Sequence, residues 1–216
     1  MAQKLVFISS KDCPFDETLV DYEFVPGFAP SQRQKNVANL HKAILYHFPN
    51  KKVLEISTKS DSELGRMLSA FNLKFEGHYF ESIFQSSKVF EDGTQYEFLI
   101  DKTPLEAKRY IQNAPKQEIT KFRYKGKDFP INPQSAFYDF LYCNALSKIP
   151  EFSGILGDFD IFTDIEFNYK KSINCQARAC AIYSYLLKIN QVEPYIKDFE
   201  HFLDLYNSLF ETISLF

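Results

Sequence analysis

What most constrains this chain is its punctuation. Apolar residues at helical spacing begin after capping signals and stop at Pro, Gly or Asn, so helices and short extended segments alternate along its length. Ser31 followed by Gln34 forms a capping box, and Val37, Leu40, Ile44 and Phe48 recur at helical spacing until Pro49-Asn50. Ser60 with Glu63 opens a shorter helix, and Thr103-Pro104-Leu105-Glu106 combines an N-cap Thr, a Pro at the first helical position and a Glu three residues after the cap. Asn132-Pro133 starts a helix with Phe137, Leu141 and Ala145 on one stripe, Asn174 caps a helix through Leu187, and a final helix spans about Pro194 to Leu215. Its stripe of Phe202, Leu203, Tyr206, Leu209 and Phe210 reads as core-facing, with a dimer or toxin interface as the alternative. Lys4 to Ser9, Tyr22 to Val25, Val53 to Ser57 and Asn72 to Glu76 read as extended, and Ile119 to Tyr124 with Lys127 to Ile131 flank Lys125-Gly126 as a hairpin. The pattern predicts an α+β fold: one helix-dominated domain over residues 1–216, with helices packed around a small antiparallel sheet.

Composition narrows the function classes. With 216 residues, 45% of them hydrophobic and 17% aromatic, and only seven Gly, the chain can bury a large core and has few flexible joints. A formal charge of -3 gives no overall basic field, which argues against holding nucleic acid by bulk electrostatics and leaves room for local basic patches. No stretch approaches the roughly 20 apolar residues of a membrane span, and the N-terminal apolar run is too short for a signal peptide, so a cytoplasmic protein without membrane contact is expected. Cys13, Cys143, Cys175 and Cys180 form neither a Cys-x-x-Cys pair nor a spaced Cys/His set, and read as packed, reduced thiols. His41 and His47 are six apart, more than the one-turn spacing of a helical metal pair, so neither a metal nor a cofactor is expected.

One segment stands out chemically. A helix from about Glu81 to Lys88 puts Glu81, Phe84, Gln85 and Lys88 on one face, with Phe80, Ile83 and Phe90 on the other side. That sets a carboxylate, an amide and an ammonium beside an aromatic surface, as a glycosidase pocket requires. An ordinary exposed face with a fortuitous charge pair has the same spacing, so spacing alone leaves both readings open.

Three motifs in order add to it. Leu68-Ser69-Ala70-Phe71, then Glu81-Ser-Ile-Phe-Gln85-Ser-Ser-Lys88, then Thr103-Pro104-Leu105-Glu106-Ala107-Lys108 resemble the motif series of the NADAR (YbiA-like) family: a Leu-Ser-Asn-Phe-like loop, a Glu-x-x-x-Gln-x-x-Lys helix and a Ser-Pro-x-Glu-Ala-Lys helix start. The resemblance covers roughly residues 65–190, onto which residues 1–60 and the C-terminal helix at 194–215 would pack. Pro26-Gly27-Phe28-Ala29-Pro30-Ser31-Gln32 and the stretch Thr163 to Arg178 look most like the branch accompanying DarT-type DNA ADP-ribosyltransferase toxins. That resemblance implies an antitoxin, or a phage counter-defence, that removes ADP-ribose from guanine in DNA, with ADP-ribosylated DNA or free ADP-ribose as ligand and a cognate DarT-type toxin as partner. The wider family often carries an aromatic-Gly pair after its late acidic residue, where this chain has Asn168-Tyr169-Lys170, so the riboflavin-pathway activity of other members does not transfer directly.

Cleaving a ribose–nitrogen bond builds positive charge on the anomeric carbon and negative charge on the departing amine, so a carboxylate near the sugar and a proton donor near nitrogen are needed. Glu81 suits the first role, either stabilising the oxocarbenium-like state or deprotonating water, with Gln85 orienting sugar hydroxyls. Lys88 either binds a diphosphate oxygen or, with a depressed pKa, attacks the opened sugar as a Schiff-base amine. Asp160, Asp164 and Glu166 are candidate late carboxylates, of which Glu166 best matches the family position. Asn174, Gln176 and Arg178 near a helix start are candidate phosphate donors, with a surface ion pair as the alternative for Arg178. Ser69 and Phe71 are candidates for holding and stacking the base or adenine, or else core residues. Two other functions fit the same residues: an N-glycosidase of a small nucleotide, and a non-catalytic protein that blocks a toxin by contact.

Overall fold

The computed structural model describes residues 1–27 and 29–213, with side chains through residue 207. The N-terminal part holds β1 (Ala2–Ile8), β2 (Asp16–Tyr22), α1 (Pro30–His47), β3 (Val53–Glu55) and α2 (Glu63–Met67). There follow β4 (Lys74–Phe75), β5 (His78–Tyr79), α3 (Phe80–Ser86), β6 (Lys88–Phe90), α4 (Pro104–Asn113), β7 (Ile119–Tyr124) and β8 (Lys127–Phe129). The remainder is α5 (Ala136–Ser147), α6 (Pro150–Ser153), β9 (Ile161–Thr163), α7 (Gln176–Lys188), α8 (Val192–Lys197) and α9 (Phe199–Ile213).

The α+β expectation holds. The largest sheet has the order β2-β1-β9-β3 and is antiparallel except for β3 and β9, which run parallel. Both of its faces are covered. Successive strand residues point to opposite faces, so Val6 and Ile161 meet Val37, Leu40 and Ile44 of α1, while Phe7, Leu54 and Phe162 enter the main core with α5 and α7. This is why Leu5-Val6-Phe7-Ile8 of β1 is a continuous apolar run. β6, β7 and β8 form a second sheet, whose hairpin turns at Lys125 and Gly126, both at positive φ, as a two-residue loop requires.

Several boundaries differ from the sequence reading, and at β2, α1, α2 and the α8–α9 break a local partner competes. β2 ends at Tyr22, paired with Ala2 at the start of β1; beyond it the Asn36 side chain takes both the N–H and the C=O of Val25. α1 begins at Pro30 rather than after Ser31, since Gln32 Oε1 accepts the Ala29 N–H. Ser60 accepts the Ser62 N–H in a turn, so the box with Glu63 does not form and Ser62 precedes α2. α5 starts at Ala136 instead of Pro133, and Cys175, not Asn174, precedes α7. The final helix is two: Asp198 is extended and accepts the Glu200 N–H, separating α8 from α9. Of its stripe, Phe202 and Tyr206 are fully buried; Leu209 and Phe210 lie outside the described side chains, as Phe28 and Leu215 lie outside the described residues. The Thr103–Glu106 box forms as expected, with Thr103 Oγ1 accepting the Glu106 N–H and Glu106 accepting the Thr103 N–H.

Among the described residues, no helix is long and apolar enough to cross a membrane.

Candidate active site

A cavity of about 510 Å³ opens at the carboxyl ends of the parallel strands β3 and β9. Residues following parallel strands are free of the ladder there, which makes this end a common place for ligands. Ser57 and Lys59 line it after β3, and Asp164 and Glu166 line it after β9. Opposite them stand Glu81, Phe84 and Gln85 of α3, with Lys88, Ser69 and Phe71 beside these.

The α3 wall differs from the expected helix through Lys88. The hydroxyls of Ser86 and Ser87 both donate to the Ile83 carbonyl, at 2.9 and 2.8 Å, which competes with further helical turns. The helix stops at Ser86, and Lys88 opens β6, paired with Phe122. The side chains still converge. Lys88 Nζ donates to Gln85 Oε1 at 2.7 Å, and Gln85 Nε2 donates to Glu81 Oε1 at 2.8 Å, so one amide links ammonium and carboxylate with its orientation fixed by both. Lys88 Nζ also lies 5.1 Å from the Phe84 ring centroid. Burial lowers the Lys88 pKa from 10.5 to about 8, against the pull of Glu81 and helped by Lys108. At pH 7.5 such a lysine is about one-quarter neutral amine, compared with roughly 0.1% for a solvated one.

The opposite wall is a turn held from three sides. Asp164 accepts the backbone N–H groups of Glu166 and Phe167 through Oδ1, and the Gln176 amide at 2.9 Å through Oδ2. Gln176 Oε1 in turn accepts the Ala70 N–H at 2.7 Å, tying the Ser69–Phe71 loop to α7. From β3, the buried Glu55 accepts the Ile165 N–H and the Thr163 hydroxyl; from β1, Lys4 donates to the carbonyls of Ile165 and Phe167. Burial, and then the neighbouring Glu55 carboxylate, raise the Asp164 pKa.

Of the three late carboxylates, Asp164 and Glu166 line the cavity, whereas Asp160 is engaged with Lys51 and the Lys52 N–H. Glu166 is exposed and meets Arg33 of α1 at 3.6 Å. Asn174 and Gln176 are in the lining. Arg178 is not in the lining: its Nε donates to the fully buried Asp139 at 2.8 Å, Tyr206 of α9 donates to the same carboxylate, and Nη1 holds the Ile173 carbonyl. It props the wall rather than facing the cavity, a placement that sequence spacing does not reveal because Asp139 is 39 residues away. Phe71 is half-buried with Lys108 Nζ 5.4 Å from its ring, and so is a lining residue and not a core one.

Sequence reasoning missed Lys59, Lys108 and Tyr138 in the lining. Lys108 closes the third motif and was legible there. Tyr138 neighbours Phe137 on a helix read only for its apolar stripe; its ring meets Phe84 edge-on at 5.0 Å. Lys59 carries no signal beyond its charge.

The arrangement offers an amine of lowered basicity, a carboxylate one amide away, two further cations and an aromatic wall in one cavity. A family model described as NADAR-DarT1, the DarT1-associated NADAR antitoxin, matches residues 2–212. No curated protein matches the chain significantly.

Proposed function

Since the chain belongs to the DarT1-associated NADAR antitoxin family, we propose that it is an ADP-ribosyl glycohydrolase that removes ADP-ribose from guanine bases in DNA. The observation that carries this reading is the hydrogen-bonded series Lys88–Gln85–Glu81 on the cavity wall, with a lysine that is partly neutral near physiological pH.

ADP-ribose joined through an exocyclic amine can open its ribose ring to an imine at C1′. Neutral Lys88 Nζ adds to that carbon, a proton passes to the guanine nitrogen, and the C1′–guanine bond breaks to release the unmodified base. The resulting lysine imine is hydrolysed: Glu81 takes a proton from the attacking water, the C1′–Nζ bond breaks, and lysine returns as an amine with free ADP-ribose as the second product. Gln85 holds Lys88 in place through its carbonyl and keeps Glu81 oriented through its amide. Lys59 and Lys108 supply cations for the diphosphate, which supports the amine role for Lys88 over a phosphate-binding one. Ser69, Phe71, Asp164, Glu166, Asn174 and Gln176 bind the remainder of the substrate in this reading, and Arg178 positions the Ile173–Asn174 wall.

The test is incubation of the purified protein with guanine-ADP-ribosylated and thymidine-ADP-ribosylated oligonucleotides, following ADP-ribose release. Release from the guanine substrate, lost in Glu81→Ala, is expected; release from thymidine alone would overturn the substrate assignment.

A further inference from the structure

Behind Glu166 and Phe167 lies a second cavity of about 630 Å³, lined from β1, β2, the start of α1 and the turn through Lys170. It shares Phe167 with the first cavity, and the two are parted by the contact between Arg33, which lines the second, and Glu166, which lines the first. Arg33 directly follows the Pro26–Gln32 segment, which the catalytic reading leaves without a role.

We propose that this second cavity is a nucleotide subsite, an inference that rests on the glycohydrolase reading above. Two aromatic surfaces are available to a base: Phe24, 43% exposed and edge-on to Tyr22, and the half-buried Tyr169. Stacking suits any base because every base has a π-face. Lys170 Nζ lies over the Tyr169 ring, 5.7 Å from its centroid, so a base stacking on that ring takes the other face or moves the ammonium aside, and either way has a cation near for its phosphate. Asp21 and Asn168 add an acceptor and an amide for a base edge. Lys4 also lines the cavity, but its ammonium is engaged by the Ile165 and Phe167 carbonyls, so it fixes the floor. Rings, a cation and edge-reading groups at one place match a nucleotide better than an acyl chain, which would leave Lys170 and Asp21 unmatched. The nucleotide has two possible sources with this chemistry: the adenylate end of the ADP-ribosyl group, and the DNA residue next to the modified guanine.

The experiment compares two substrates, ADP-ribosylated guanosine and a single-stranded oligonucleotide carrying one ADP-ribosylated guanine, across wild type, Tyr169→Ala, Lys170→Ala and Tyr169→Phe. Each alanine variant is expected to raise KM by roughly 10-fold or more with kcat little changed, as loss of one stacked or phosphate-paired nucleotide does, and Tyr169→Phe is expected to retain the wild-type KM. A loss confined to the oligonucleotide identifies the source as the DNA strand; a loss on both identifies it as the adenylate. Unchanged KM on both substrates, or a fall in kcat alone, overturns the subsite. If wild type releases no ADP-ribose from either, the hydrolase reading fails, and binding of labelled oligonucleotide and of ADP-ribose decides the subsite. Weaker binding of either by Tyr169→Ala supports it, and equal binding overturns it.

Discussion

Replacing Lys88 with Met is expected to abolish activity while making the protein more stable at pH 7. The lysine pKa falls from 10.5 in the unfolded chain to about 8 in the fold, so the fold disfavours its charge. For a group lowered in this way the penalty is fully present below the folded pKa and is relieved as pH rises from about 8 towards 10.5. At pH 7 it amounts to about 3 kcal/mol, and at pH 10 to less than about 1 kcal/mol. Met removes the charge with a similar volume, but it loses the donor to Gln85 Oε1, which costs about 1 kcal/mol. The net gain at pH 7 is about 2 kcal/mol, or about 4–8 °C in Tm for a chain of this size. At pH 10 the two terms nearly cancel. Thermal unfolding of wild type and Lys88→Met at both pH values measures the difference directly, and titrating groups common to both proteins drop out of it. A Met variant no more stable than wild type at pH 7, or a Tm difference equal at the two pH values, would refute the claim that burial sets this pKa.

Borohydride added during turnover should trap an ADP-ribosyl adduct on Lys88, and kcat/KM should rise with pH, half-maximal near 8 and levelling off about one unit above; activity without any adduct would rule out the imine. Glu81→Ala should no longer protect cells from a guanine-modifying toxin, and retained protection would favour neutralisation by contact. Asp139→Asn should lower stability by about 3–5 kcal/mol in denaturant melts, because it strips the partner from the buried Arg178 and loosens the anchor of Tyr206.

Local signals in the sequence were legible where their partners lie within a few residues. The Thr103–Glu106 box and the Lys125-Gly126 hairpin formed as read, since each is satisfied by its own neighbours. The boxes at Ser31 and Ser60 shifted because Gln32 and Ser62 offered competing bonds one or two residues away. In the candidate site, the gathering of Glu81, Gln85 and Lys88 was legible from spacing, but the strand that delivers Lys88 was not, because the serine hydroxyls that end α3 act on a single carbonyl. Least legible were the long-range ties: Gln176 to Ala70, Lys4 to the turn after β9, and Arg178 to Asp139. No periodicity encodes a bond across tens of residues, so Arg178 read as a phosphate donor or a surface ion pair, with nothing to name the buried Asp139 as its partner.

The abrupt change from helix to strand at Ser87 also limits how this segment can vary in length. Side chains alternate across β6, with Lys88 towards the cavity and Val89, its neighbour, buried on the other side. A single residue inserted or deleted between Gln85 and Lys88 would exchange the two, turning the ammonium into the protein interior and presenting a valine to the ligand. Point substitutions at Ser86 or Ser87 leave that parity intact. A library of variants should therefore accept other small residues at these two buried positions more readily than any change in their number.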